Sequence, residues 1–217
     1  MVNLSITQEY YLCAVNAKGK VPMMKFTAIH AAMFAGGILE LFENGFIERD
    51  SDNKVIVAKP LTDGFCYLKP LYEYIAKEKP MKLKSQLRSL SNYVNSSKQF
   101  DELFPAIGIS LVSLGCADEI TSQGLLKSKE RYAPKPEAVK LVIDKIRAEL
   151  LENGNLADET LCLTVLLAKS FIIQDYFSKD ESEQLKKRID EVRTSDAYAI
   201  VKDIFDVALA GGLDPWH

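Results

Sequence analysis

The chain has 217 residues, 47% of them apolar, so it is long enough to bury one sizeable hydrophobic core or two small ones without cross-links. Its 27 basic and 30 acidic side chains leave a formal net charge of -3. That balance excludes the strongly basic body typical of a nucleic-acid-binding protein, so any anion-binding site must be local.

Cysteine and histidine are too sparse to build a metal centre. The four cysteines are far apart and form no C-x-x-C pair, and only two histidines are present. We therefore predict no metal and no cofactor, and we expect all four cysteines to be buried reduced thiols. The residues concerned are Cys13, Cys66, Cys116, Cys162, His30 and His217.

We predict neither a signal peptide nor a membrane-spanning helix. Residues 1–9 lack the basic segment followed by an apolar stretch that a signal peptide has, which indicates a cytoplasmic protein. The most apolar segment, residues 161–173, is interrupted by polar side chains and is shorter than the roughly 20 residues that span a bilayer. It predicts a buried core helix, so any membrane contact is expected to be peripheral.

The first part of the chain predicts two helices and a β-hairpin. Residues 7–15 suit a short helix that begins at a polar start signal. Residues 27–42 carry apolar side chains on every side, which predicts a helix enclosed by others, with Gly45 as its C-cap. The β-prone runs 46–49 and 54–58 flank a turn-rich tetrapeptide and predict a hairpin.

Helical spacing continues through the rest of the chain. Near Phe100 the helix-plus-hairpin pattern restarts, with strand-like runs at 119–120 and 125–132, which leaves a weak internal repeat open. The elements together predict a mainly α fold: a single compact domain over residues 1–217, with about eight to ten helices and two small β-hairpins. The other predicted helices are 68–77, 82–93, 136–153, 161–173, 180–193 and 197–209.

Two motifs resemble the Golgi phosphoprotein 3 family. Residues 4–12, L-S-I-T-Q-E-Y-Y-L, are similar to the opening helix of that family. Residues 34–47, F-A-G-G-I-L-E-L-F-E-N-G-F-I, are similar to its small-residue helix, with a Glu-Leu pair and a glycine that ends the helix before a strand. The helical order of the second half fits as well, so the resemblance covers nearly the whole chain. It implies a non-catalytic, peripheral phospholipid-binding or adaptor protein.

The resemblance also implies where a lipid headgroup would bind. Better-known members bind a phosphoinositide through one tryptophan and three arginines, whose guanidinium groups each make two hydrogen bonds to phosphate. Counting from Glu40, the tryptophan position falls on Lys25 and one arginine position on Phe34; the other two fall near Phe104 and Ile107. None of the four residue types is retained, so we expect no specific recognition of phosphatidylinositol 4-phosphate.

The second predicted hairpin is the better candidate for a membrane contact. Two leucines lie beside its turn with basic residues nearby, a combination that lets apolar side chains insert while cations stay at headgroup level. The family uses a hairpin in this region to contact membranes, which implies an anionic phospholipid partner at the inner face of the membrane. The alternative is that the leucines cover the core or an interface between copies of the chain. The residues are Leu125, Leu126, Lys127, Lys129 and Arg131.

Three other functions are weighed against this one. An enzyme is disfavoured because no G-x-S-x-G, phosphate-binding glycine loop or H-E-x-x-H occurs, and His30 lies inside an apolar helix. A winged-helix nucleic-acid binder shares the helix-to-hairpin outline, but residues 28–42 offer almost no side chains that read bases, so we expect no nucleic-acid partner. A protein-interaction module, binding another protein or a second copy through the tail that contains Trp216, stays open.

Overall fold

The fold is mainly helical, and a computed structural model describes residues 3–83, 85, 98–122, 129–152 and 156–192. The α-helices in these ranges are α1 (Ile6–Ala14), α2 (Phe26–Glu43), α3 (Lys69–Lys77), α4 (Lys98–Ser113), α5 (Pro136–Ile146), α6 (Asp158–Lys169) and α7 (Lys179–Val192). The strands are β1 (Ile47–Arg49), β2 (Lys54–Val57), β3 (Met81–Lys82), β4 (Ala117–Ser122) and β5 (Lys129–Pro134). Short 3-10 turns occupy Met23–Lys25, Asp63–Leu68 and Ile173–Asp175, and a π-helical turn, Arg147–Leu151, extends α5.

The mainly α fold with two small antiparallel sheets is confirmed. The seven α-helices in the described ranges are somewhat fewer than the eight to ten predicted. The helix predicted over 82–93 does not begin at Lys82, because the backbone of Lys82 pairs with Lys54 as part of β3. The rest of that segment lies almost entirely outside the described residues, and so do the helix predicted over 197–209 and the tail with Trp216.

Helix α2 passes through the centre of the fold. Every residue from 29 to 41 is buried, which confirms a helix enclosed by others. A Cβ atom added to Gly36 would lie 3.3 Å from the side chain of Leu166 in α6, and one added to Gly37 would lie 2.8 Å from Leu71 in α3. The small residues therefore let α3 and α6 pack close to the α2 backbone, and this packing offsets the poor helix propensity of glycine.

Helix α1 is buried along its whole length, with α2 and α6 as its main neighbours. A capping box starts it: Ser5 Oγ accepts a hydrogen bond from the backbone N–H of Gln8 at 3.3 Å, and Gln8 Oε1 accepts one from the backbone N–H of Ser5 at 3.0 Å. The neighbouring Glu9 does not take part in the box and pairs with Lys145 of α5. The start of α1 is thereby fixed by both local and long-range contacts.

The two helix-to-strand transitions have the same local geometry. After α2, Gly45 has a φ of 66°, and the backbone N–H of the next residue donates to the carbonyl of Leu41 at 2.9 Å. After α4, Gly115 has a φ of 72°, and the next N–H donates to the carbonyl of Leu111 at 2.8 Å. Glycine adopts positive φ without steric cost, and this bond pattern is the Schellman motif. The helices of the two helix-plus-hairpin units thus end in the same type of C-terminal cap.

Both hairpins occur where the sequence predicts strands. β1 pairs with β2, and β4 pairs with β5, each in antiparallel fashion. The structure adds β3 to β2, with Val55 opposite Met81, which the sequence did not predict because two residues carry no readable alternation. Residues 123–128, between β4 and β5, lie outside the described residues.

The prediction of four buried cysteines is wrong for Cys66, which is exposed, and Cys116 is only half-buried. The 3-10 turn that carries Cys66 buries its last two residues, Tyr67 and Leu68, so the cysteine side chain is left towards solvent. All four cysteines are free thiols, and burial raises the pKa of the two innermost, Cys13 and Cys162. They remain protonated core side chains.

We predict that Gly108→Ala separates α4 from β5. A Cβ atom at Gly108 would lie 2.4 Å from the ring of Tyr132, and overpacking of this kind costs about 1–3 kcal/mol. Urea unfolding should therefore show a lower free energy of unfolding for this variant. Gly64→Ala is the control, because an added Cβ there meets nothing within 4 Å. Equal losses of stability in the two variants would contradict the prediction.

Candidate functional site

Two cavities lie at opposite ends of α2. The first opens beside Glu43 at the C-terminal end of this helix, and the second opens beside Phe26 at its N-terminal end. At a rise of about 1.5 Å per residue, these two positions are roughly 25 Å apart. Helix α1 reaches both, because Ile6 lines the first cavity and Tyr11 lines the second.

The first cavity, of about 550 Å³, is acidic. Lys145 is the one basic side chain among the described residues that line it, and its Nζ atom lies 2.5 and 2.6 Å from the carboxylate oxygens of Glu9. The other carboxylates have no such cation at the cavity wall, so the cavity repels phosphate groups. The acidic residues lining it are Glu9, Glu40, Glu43, Glu149 and Glu159.

Glu40 is the most deeply buried of these acids, with 2% of its surface exposed. One carboxylate oxygen accepts a hydrogen bond from the backbone N–H of Thr7 at 3.3 Å, and the other accepts one from the hydroxyl of Tyr67. The Tyr67 hydroxyl also lies 2.9 Å from Ser5 Oγ. A negative charge at the N-terminus of α1 is favoured by the helix dipole, so Glu40 anchors α1 rather than serving as an open ligand.

The pKa values of three carboxyl groups at the acidic cavity, those of Glu9, Glu40 and Glu43, lie above their usual range. Removal from water raises the pKa of Glu9 and of Glu40, although the hydrogen bonds that each accepts act in the opposite direction. Partial removal from water, together with the nearby negative charge of Glu159, raises the pKa of Glu43 to about 7, even though this side chain is open to solvent on one side.

The second cavity is a groove of about 610 Å³ with aromatic walls. The rings of Tyr11 and Phe104 lie with their centroids 4.6 Å apart, and Phe26 and Tyr132 also line the groove. The hydroxyl of Tyr11 donates a hydrogen bond to the carbonyl of Tyr132 at 3.1 Å. That bond ties β5 to α1 at the wall of the groove.

Charges of both signs surround the groove. Lys20 comes from the loop after α1 and Arg131 from β5, and both are basic. Asp101, in the first turn of α4, and Glu130, on β5, are acidic. The hydroxyl of Tyr132 donates to a carboxylate oxygen of Glu130 at 3.3 Å. The groove thus differs from the acidic cavity, because the formal charges of the described residues that line it balance.

An exposed apolar pair lies next to the groove. Met23 and Met24 are 91% and 101% exposed, and Phe26, which follows them and lines the groove, is 43% exposed. Full exposure of two consecutive large apolar side chains is costly in water, which makes this part of the surface a candidate contact site. We call Met23, Met24 and Phe26 the methionine patch.

Gly19 joins the loop that leads to the methionine patch to the second hairpin. Its φ is 63°, and a Cβ atom there would lie 2.7 Å from Cβ of Arg131 and 3.1 Å from the backbone nitrogen of Tyr132. Glycine is required by both conditions, the positive φ and the close approach. The loop and β5 consequently form one continuous surface around the groove.

The family model described as Golgi phosphoprotein 3 matches residues 6–208. The chain belongs to the Golgi phosphoprotein 3 family. A comparison with curated proteins gave no match. The match includes α1, α2 and both helix-plus-hairpin units, so the resemblance inferred from residues 4–12 and 34–47 is confirmed.

The four positions to which the resemblance assigns headgroup binding have different surroundings in the fold. Phe34 and Ile107 are buried, at 5% and 0% exposure, and offer nothing to a ligand. Lys25 forms an ion pair with Asp175, with 2.7 Å between Nζ and the carboxylate. Only Phe104 lines the groove, as part of its aromatic wall.

Part of the hairpin predicted to touch a membrane lies within the described residues. Arg131 is half-buried and lines the groove, and the backbone of Lys129 belongs to β5. Leu125, Leu126 and Lys127 lie outside the described residues, so the prediction for them stays a prediction.

Sequence reasoning missed the methionine patch. Its signal was present, because Met23 and Met24 follow Pro22 in a loop that also carries Lys18 and Lys20. A loop has no periodicity, however, so the sequence alone does not tell whether an apolar pair there is buried or exposed. The folded structure, in which the loop packs against β5, shows that both methionines are exposed to solvent.

Among the described residues, one segment, Met23–Glu43, is apolar and long enough to cross a membrane by composition, with a mean hydropathy of 1.2. Within the fold, 72% of the 18-residue window that gives this hydropathy is buried. A core helix surrounded by other helices has the same composition, and α2 contacts α1, α3 and α6.

We predict that Glu43→Gln changes how stability depends on pH. A carboxyl group whose pKa is raised in the folded state stabilises the fold fully below its unfolded value near 4.5, and this contribution is lost as pH rises through about 7. The variant should therefore be more stable than the native chain at pH 8 and gain nothing at pH 4, as measured by urea unfolding.

The exposed Glu48→Gln is the matched control for this experiment, since Glu48 lies on β1 and lines neither cavity. A gain at pH 8 in both variants would mean that net charge, rather than the surroundings of Glu43, controls the effect.

Proposed function

We propose that this member of the Golgi phosphoprotein 3 family is a non-catalytic, peripheral binder of anionic phospholipid membranes. The observation that carries the proposal is the full exposure of Met23 and Met24 beside the second hairpin. The exposed basic residues Lys18 and Lys20 flank Gly19, which packs directly against Arg131 of β5. Apolar side chains flanked by cations suit insertion at headgroup level.

The expected affinity is modest. Full burial of a methionine is worth about 1.5–3 kcal/mol, and each basic residue near an anionic surface adds about 1 kcal/mol. Two methionines and three cations therefore support reversible binding that weakens as salt increases. Insertion of Leu125 and Leu126 would strengthen this contact, which would remain reversible and sensitive to salt.

Specific recognition of phosphatidylinositol 4-phosphate is not part of the proposal. A phosphorylated inositol carries several negative charges and is best held by guanidinium groups. Of the corresponding positions, Phe34 and Ile107 are buried apolar residues, and Lys25 is engaged with Asp175. At equal charge density, vesicles that contain this lipid should bind no more tightly than vesicles with phosphatidylglycerol.

The rival functions have less support. His30, the candidate base of an enzyme, is 3% exposed, and burial lowers its pKa to about 4, which leaves the imidazole neutral inside the fold. The helix that would read bases in a winged-helix protein is α2, whose residues 29–41 are buried. A protein partner at the methionine patch is the remaining alternative, and vesicle binding distinguishes it.

We predict that replacing the two methionines of the methionine patch strongly weakens vesicle binding. Co-sedimentation with phosphatidylcholine vesicles, with and without phosphatidylglycerol, should show binding that requires the anionic lipid. Met23→Ser combined with Met24→Ser should weaken it by about tenfold or more, as expected from losing over 1.4 kcal/mol of apolar burial. Leu125→Ser with Leu126→Ser tests the hairpin tip in the same assay.

Leu141→Ser is the control, because Leu141 is 59% exposed but lies on α5 and lines neither cavity. It should bind like the native chain. No binding by the native chain, or undiminished binding by the double methionine variant, would overturn the proposal.

A further inference from the structure

The groove behind the methionine patch has a charge pattern that a membrane surface alone does not explain. Nonspecific attraction to an anionic bilayer needs only cations, whereas this groove also presents Asp101 and Glu130. Two carboxylates within the contact surface weaken such attraction. Their presence next to Lys20 and Arg131 indicates a ligand that carries both signs of charge.

We propose that the groove binds the headgroup of one zwitterionic phospholipid. The inference rests on the proposed membrane association, because the methionine patch would bring the mouth of the groove to the bilayer surface. A zwitterionic headgroup joins a phosphate diester to a primary or quaternary ammonium group, so its formal charge is zero. The described residues that line the groove match it, with two basic and two acidic side chains.

Lys20 and Arg131 supply the phosphate end of the site. The guanidinium of Arg131 donates two parallel hydrogen bonds to a phosphate, while the ammonium of Lys20 acts as a point charge. The two residues belong to segments that Gly19 holds together, since a Cβ at that position would lie 2.7 Å from Cβ of Arg131. The pair is therefore positioned by the fold rather than by flexible side chains alone.

Asp101 and Glu130 supply the ammonium end. Both carboxylates are exposed at the groove, and the hydroxyl of Tyr132 holds Glu130 by a 3.3 Å hydrogen bond. Aromatic walls add to this, because an ammonium group over the face of Phe or Tyr is attracted by the electrons of the ring. Phe26 and Phe104 provide such faces.

The size of the groove fits a headgroup and excludes a whole lipid. Small-molecule sites measure about 300–1,000 Å³, and the groove measures about 610 Å³. The acyl chains would stay in the bilayer beside Met23 and Met24. A headgroup with several phosphates meets two carboxylates here, which makes polyphosphorylated inositol the disfavoured ligand.

Water-soluble short-chain lipids test the groove without a membrane. Calorimetry on the full chain would compare dihexanoyl-phosphatidylethanolamine, dihexanoyl-phosphatidylcholine and dihexanoyl-phosphatidylglycerol below their micelle concentrations. Both zwitterionic lipids should bind at least about fivefold more tightly than the anionic one. Asp101→Asn with Glu130→Gln should remove that preference, whereas Glu102→Gln, an exposed neighbour that does not line the groove, should retain it. Equal or tighter binding of the anionic lipid to the native chain would overturn the inference, as would an unchanged preference in the Asp101/Glu130 variant.

Different results would contradict the proposed membrane association and the proposed headgroup site. The Met23/Met24 double variant should lose vesicle binding but keep its affinity for short-chain zwitterionic lipids, since neither methionine lines the groove. The Asp101/Glu130 variant should keep binding to vesicles rich in phosphatidylglycerol. If the native chain binds vesicles but shows no preference among the soluble lipids, the groove assignment falls and membrane association stands.

Discussion

The buried carboxylate of Glu40 holds together the elements on which the rest of the fold depends. A charged group at 2% exposure costs several kcal/mol in lost hydration unless hydrogen bonds replace the water. Here the replacements come from the backbone of Thr7, at the start of α1, and from the hydroxyl of Tyr67, in the segment before α3. One side chain of α2 thereby fixes where two other helices begin.

The position of α1 then determines the groove at the far end of the molecule. Because α1 is a fully buried helix, anchoring Thr7 at Glu40 also places Tyr11, about one turn further on. Tyr11 holds β5 through the carbonyl of Tyr132 and packs on Phe104 of α4. The groove is thus built from a loop, a strand and a helix that share α1 as their support, which explains why its walls need no contribution from the acidic end.

The sequence predicted those features that depend on periodicity or on a backbone requirement. The stretch 34–47 predicted both the central helix and the turn into a strand. Its small and apolar residues suit a close-packed buried helix, and Gly45 suits the positive φ that ends it. The sequence did not predict the features that depend on tertiary packing. Strand β3 exists only because β2 offers an edge, the exposure of Cys66 depends on which side of a short turn is covered, and the patch at Met23 depends on how a loop packs.

Separation of charge along α2 explains how an acidic protein can approach an anionic membrane. The net charge of -3 argues against such binding only if the charges are spread evenly. Along α2, Glu43 of the acidic cavity lies roughly 25 Å from Phe26 of the groove, whereas electrostatic interactions in physiological salt are screened within about 8 Å. Under the proposed association, a membrane in contact with Met23 and Met24 would therefore experience mainly the charges that line the groove, those of Lys20, Arg131, Asp101 and Glu130, and little of the charge of Glu43. The same separation favours one orientation, because turning the molecule over would bring the acidic cavity within screening distance of the lipid phosphates.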